Sequence, residues 1–178
     1  MDTTPSIRQV TANDLTKVKE LADLSFSTFF RFFANHSLSS DEGKTLVSED
    51  QGVAVGFTKL IEFNVGGCKY GCILWLAVHP VHRRKGIASA LVKAGAETLK
   101  RDGVKAVFAS VQRRNKASLV TFGKEGFMQA GFLGLWRLFS WRVFVFYRGI
   151  WFAPGEVVLM QVRAKSHLKG QNGRESRI

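Results

Sequence analysis

The chain reads as one α/β domain, a mixed β-sheet with helices on both faces, and three observations carry that expectation. Strand-length apolar runs and helix-length amphipathic stretches alternate in the order βααβββαβαβ, followed by an aromatic segment and a last strand. Residues 72–78 (CILWLAV) are almost unbroken apolar sequence, as expected for a strand covered on both faces. That run passes through a basic glycine loop directly into an amphipathic helix. At 178 residues there is material for one substantial core rather than two.

Taken in order, residues 6–10 suit a short first strand. Thr11 and Asp14 make an N-capping pattern before a helix whose apolar face is Leu15, Val18, Leu21 and Ala22. Apolar spacing resumes at Leu24, Phe26, Phe29, Phe30 and Phe33, a second helix or a bent continuation that supplies core or lines an acceptor pocket. After a polar stretch at 35–43, strands are expected at 45–49 and 53–63, and Gly66-Gly67 offers a hairpin turn. A helix begins near Gly86 and keeps Ile87, Leu91, Val92, Gly95, Ala96 and Leu99 on one face until Asp102-Gly103. Residues 104–111 suit a strand, 117–125 a short helix, 127–138 a further strand and 156–162 the last. The domain is expected to span 1–164, with an aromatic insert at about 135–153 between the last two strands. Residues 165–178, polar and basic, read as a disordered tail.

Bulk properties narrow the class. The start of the chain lacks a basic segment followed by an apolar run, and Arg137, Arg142 and Arg148 interrupt the best membrane candidate. No membrane span and a cytoplasmic location are therefore expected. Two cysteines, Cys68 and Cys72, are too few for a disulfide framework, and no metal site is expected. The net charge of +12 is uneven: residues 1–80 carry 7 Lys/Arg and 9 Asp/Glu, residues 81–178 carry 19 and 5. Such a basic second half implies an anionic partner: a phosphorylated cofactor, an acidic acceptor, RNA or a membrane surface.

Residues 78–88 (VHPVHRRKGIA) concentrate the chemistry. A buried strand ends at Val78, Pro80 stops its ladder, and a helix opens near Gly86. The first N–H groups of a helix lack internal partners and carry partial positive charge, which prepares an anion site. Gly86 and the small Ala88 permit close approach of a diphosphate, Arg83, Arg84 and Lys85 add charge, and Ser89 offers a hydroxyl. This stretch resembles the GNAT superfamily of acyl-CoA-dependent N-acetyltransferases, whose signature Arg/Gln-x-x-Gly-x-Gly/Ala is matched by Arg83-Arg84-Lys85-Gly86-Ile87-Ala88. Leu76-Ala77-Val78-His79-Pro80 looks like the family's fourth strand and its exit. Asn115, Ala117, Phe122 and Gly126-Phe127 follow its downstream Asn-x-x-Ala…Tyr-x-x-x-Gly-Phe trend, with the alanine one place early. The likeness covers roughly residues 6–133.

The resemblance implies a sheet splayed between the fourth and fifth strands, with the pantetheine of acetyl-CoA in the gap. It implies that backbone groups of Leu76, Ala77 and Val78 pair with pantetheine, that amides from Arg84 to Ser89 hold the pyrophosphate, and that Asn115 reaches the pantetheine arm. A primary amine, on a small molecule or a protein, would attack the thioester directly, with an oxyanion donor near Val78. The family's usual acid is a tyrosine where this chain has Phe122, so Tyr147 is the first substitute and Tyr70 the other tyrosine. Glu62 is the first candidate base, with His79 and His82 beside the loop as further titratable groups. The aromatic insert fits helical spacing (Leu138, Trp141, Val145, Arg148; or Phe144, Tyr147, Trp151) and, over 142–147, strand alternation nearly as well. It can be core, a homodimer interface, a cover for the acceptor cleft or a membrane-surface segment. Two further functions stay open: a CoA-binding or interaction module without turnover, and a ribosome- or nucleic-acid-associated basic protein, which lacks a recognisable nucleic-acid motif.

Overall fold

A computed structural model describes residues 5–40 and 42–162; the expected tail at 165–178 lies outside the described residues. Among the described residues, seven strands form one sheet: β1 (Ser6–Gln9), β2 (Lys44–Asp50), β3 (Val53–Val65), β4 (Cys68–Val78), β5 (Ala106–Gln112), β6 (Met128–Ala130) and β7 (Glu156–Val162). Their order is β1-β2-β3-β4-β5-β7-β6, antiparallel throughout except for the parallel β4–β5 pair. The described α-helices that accompany them are α1 (Leu15–Ser25), α2 (Thr28–Ser39), α3 (Ile87–Arg101), α4 (Lys116–Lys124), α5 (Phe132–Phe139) and α6 (Val143–Gly149). The mixed sheet with helices on both faces matches the fold class read from the sequence.

Strand alternation, shifted one place where Leu74 bulges between Ile73 and Trp75, divides the core. Ile73 and Val78 of β4 face α3 and α4, joining Leu91, Val92, Leu99 and Phe122. Cys72 and Ala77 face the other way, toward α5–α6 and α1–α2 respectively. Backbone and helix approach closely on the α3 side: a Cβ at Gly56 would lie 3.2 Å from both Ile87 and Leu91, and one at Gly95 2.9 Å from Leu60. Those glycines seat α3 flat on β3 and β4, which sets its first turn beside the end of β4.

Three local expectations are corrected. The polar stretch at 35–43 is helical as far as Ser39, because Ala34, Ser37 and Leu38 recur at helical spacing and are buried. The strand expected over 127–138 is only Met128–Ala130, and α5 takes the rest. The insert is helical, but neither face read from the sequence is its core face. That stripe is Leu135, Phe139, Val143, Phe146 and Ile150, continued through a 3₁₀ turn at Ser140–Arg142. Phe146 anchors it, stacked on Phe139 at 4.6 Å and edge-on to Phe108 at 4.7 Å. Each such aromatic pair adds about 1 kcal/mol beyond the area it buries.

Candidate active site

The sheet opens where β4 and β5 part. They share three parallel pairs, Gly71–Val107, Cys72–Phe108 and Ile73–Ala109. Beyond these, β4 stays with β3 as far as Val78–Gly56, and β5 stays with β7 as far as Gln112–Glu156. The gap therefore begins at Leu74 and Ser110. His79 N–H donates to Val55 C=O at 2.8 Å, so its polar groups turn toward β3. Alternation then aims the backbone groups of Leu76 and Val78 into the gap, while those of Ala77, opposite Phe57, serve β3. Arg83 Nε donates to Val78 C=O at 3.1 Å and pins the strand exit.

The loop after β4 is shaped for an anion. A 3₁₀ turn at Pro80–His82 leads to two left-handed residues, Arg84 (φ 65°) and Gly86 (φ 78°). Such alternation turns successive amides to one concave side. Arg84 pays roughly 1 kcal/mol for that conformation. The first amide taken up by α3 is Ala90 N–H, bonded to Gly86 C=O at 3.0 Å; those from Arg84 to Ser89 have no hydrogen-bond partner among the described residues. Arg83, Arg84 and Lys85 are exposed, whereas Ile87 is buried and contributes only its amide. Ser89 spends its hydroxyl on the Glu125 carboxylate. Asn115 caps α4, its Oδ1 accepting from Ser118 N–H at 3.1 Å, which leaves its amide NH₂ toward solvent. His82 Nδ1 lies 3.5 Å from Asp50, an ion pair only when the imidazole is protonated, and His79 stacks edge-on to His82. A row of unpartnered amides, a Gly86 with open space around its missing Cβ and three exposed cations fit a diphosphate.

On the opposite face the gap meets aromatics. Trp75 packs against Phe26 at 5.2 Å and Phe30 at 6.3 Å, and its buried Nε1–H has no partner among the described residues. Phe33 links this group to Trp151 at 6.3 Å. Ser110 Oγ donates to Glu156 Oε2 at 2.5 Å, and Ala153 N–H donates to the same oxygen at 3.0 Å. Tyr147 stacks on Phe152, the residue before Ala153, at 4.8 Å, and burial pushes its phenol up. The end of the insert thus touches Tyr147 through Phe152 and Glu156 through Ala153.

Other candidates stand apart. Glu62 lies opposite Gly71, on the closed side of the split, with an ion pair to Lys69 at 2.6 Å. Five residues separate Gly71 from Leu76, about 17 Å of strand. Glu62 borders instead a cavity of about 880 Å³ that it shares with Lys44, Asp102 and Trp151. That cavity sits at the far end of α3 from Gly86, roughly 21 Å along the helix. Tyr70 is enclosed by Phe63, Phe108 and Phe139, and burial raises its phenol. Phe122 is 3% exposed and packs edge-on to Phe127 at 5.1 Å, a core role without a proton to give. Nothing in the sequence marks Glu156 as a site residue; its local signal is its position after Pro154-Gly155, at the start of a strand.

Comparison with known proteins agrees with this geometry. The family model for the acetyltransferase (GNAT) family matches residues 10–127. No curated protein matches the chain. Among solved structures, a putative GNAT acetyltransferase from Desulfovibrio desulfuricans is similar at TM-score 0.68 and 12% identity, covering 89% of this chain and 99% of that one. The PaiA N-acetyltransferase of Thermoplasma acidophilum, in complex with coenzyme A, is similar at TM-score 0.66 and 16% identity, over 90% and 100% of the two chains. The ribosomal-protein-S18-alanine N-acetyltransferase of Escherichia coli is similar at 0.61 and 16%, over 94% and 100%. With a parted β4–β5 pair, an amide-lined loop and a family match over most of its length, the chain belongs to the GNAT acetyltransferase family.

Proposed function

We propose that this chain is an acetyl-CoA-dependent N-acetyltransferase whose acceptor is a primary amine with an apolar flank. The observation that carries the reading is the parting of β4 and β5 beside the amide row from Arg84 to Ser89. Bound acetyl-CoA would supply the acyl group as a thioester. The amides of residues 84–89 and the three cations would hold its diphosphate, and the gap-facing groups of Leu76 and Val78 its pantetheine. An N–H of Leu76 or Val78 would donate to the acyl oxygen, a contribution of about 3 kcal/mol for such oriented donors. Glu156, fixed by Ser110 and Ala153, takes the proton of the acceptor ammonium, and Tyr147 returns one to the leaving sulfur. Phe26, Phe30, Trp75 and Trp151 favour an acceptor with an apolar group near its amine over a polycation.

Thiol release from acetyl-CoA, measured across peptides with apolar N-termini, amino acid derivatives and polyamines, tests this reading. Glu156→Gln should lower turnover by about a hundredfold or more without changing CoA affinity. Tyr147→Phe should lower it less. Wild-type turnover in Glu156→Gln would remove Glu156 from the chemistry. A second reading, a CoA-binding module without turnover, is favoured by Phe122 standing in the core where the family has its tyrosine. CoA binding with no thiol release across the panel would select it.

A further inference from the structure

The stripe that α5 and α6 bury leaves an outer face that is not polar. Leu133 is 75% exposed, Phe144 69% and Trp141 63%, with Phe132, Trp136 and Leu138 beside them. A helix that is apolar on every side belongs under a cover, and exposed apolar surface of this extent marks a contact site. Charge identifies the cover. Residues 126–155 contain no Asp or Glu, and their three charged side chains are Arg137, Arg142 and Arg148, all exposed. The Arg142 guanidinium lies 5.2 Å from the centre of the Trp141 ring. A second copy of the chain answers this surface poorly, because a twofold contact would set arginine-bearing faces on one another without a carboxylate. Tryptophan, phenylalanine and arginine without acids are what a segment needs to lie at the headgroup level of an anionic bilayer. No helix among the described residues is long and apolar enough to cross a membrane.

We infer that the outer face of α5 and α6 docks this protein on anionic membrane surfaces. The aromatics enter the headgroup region and the arginines pair with lipid phosphates. Co-sedimentation with vesicles of phosphatidylcholine, alone or mixed with phosphatidylglycerol, tests it, with tryptophan emission as a second readout. The full chain should sediment with the mixed vesicles and shift its emission to the blue, and do neither with pure phosphatidylcholine. Replacing Arg137, Arg142 and Arg148 with Gln should weaken partitioning about a hundredfold, the effect of three cations at an anionic surface. The double change Trp141→Ser, Phe144→Ser should weaken it at least about tenfold. Unchanged CoA affinity and circular dichroism in both variants show that the fold is intact. Failure to sediment with the mixed vesicles overturns the inference. So does undiminished sedimentation of the aromatic variant, which would assign attraction to other basic residues. A solution dimer that shields Trp141 from a soluble quencher overturns it in favour of a second copy.

Discussion

Replacing Gly86 with glutamate should separate cofactor binding from folding. Gly86 holds φ 78°, and a Cβ there would meet nothing within 4 Å. The cost to the fold is therefore mainly the left-handed conformation, about 1 kcal/mol for a residue with a Cβ. A carboxylate at the start of α3 returns roughly 0.3–1 kcal/mol through the helix dipole. Stability should change by less than about 1 kcal/mol on these terms. Binding should change far more. A unit negative charge about 4 Å from a bound phosphate costs about 4 kcal/mol at an effective dielectric of 20, and screening at this exposed loop trims that to about 2–3 kcal/mol. Calorimetric titration with CoA should show affinity falling by about a hundredfold. Gly86→Ala, which shares the conformational cost without the charge, should lose much less. Wild-type affinity in a folded Gly86→Glu protein would mean that the phosphates bind elsewhere.

Other parts of the molecule give independent checks. Gly149→Ala should lower the unfolding midpoint, because its Cβ would fall 2.6 Å from Phe63 Cδ2 where α6 crosses β3; the expected cost is about 1–3 kcal/mol. A midpoint equal to wild type would contradict that docking. Asp14 is held well below the usual carboxylate range, first by Arg8, which reaches its oxygens at 2.7 and 3.0 Å, and then by the Thr11 hydroxyl and amide. Because the folded value is depressed, this stabilisation is complete above about pH 4, the unfolded carboxylate value, and is lost as pH falls below it. Asp14→Asn should cost about 2 kcal/mol in urea unfolding at pH 7 and flatten the acid limb of stability. An acid limb as steep as wild type would assign it to other carboxylates.

What the sequence disclosed followed from how local each feature is. β4 was legible because a strand buried on both faces writes a continuous apolar run, and α3 because its six core residues keep one period. The loop between them was legible for the same reason, since residues 78–88 carry its amides, cations and glycine in one stretch. Arg84 was not expected to be left-handed, because nothing in an arginine advertises that conformation. The insert misled because its aromatics satisfy several periods at once. Its true stripe steps by four, four, three and four residues across Ser140, whose φ of 51° breaks the helix. Glu156 was hidden for a different reason. It lies 46 residues from Ser110, and only the antiparallel β5–β7 pairing brings them together. Glu62 drew attention as a strand carboxylate, but register opposite Gly71 sets it on the closed side of the split.

The most direct test of acyl transfer at the β4–β5 gap is amine-dependent thiol release from acetyl-CoA, followed side by side in the wild type and Gly86→Glu. The account predicts release that requires an amine, saturates with acetyl-CoA, and needs far more acetyl-CoA in the variant. A folded wild type that binds CoA yet releases no thiol with any amine of the panel would contradict it.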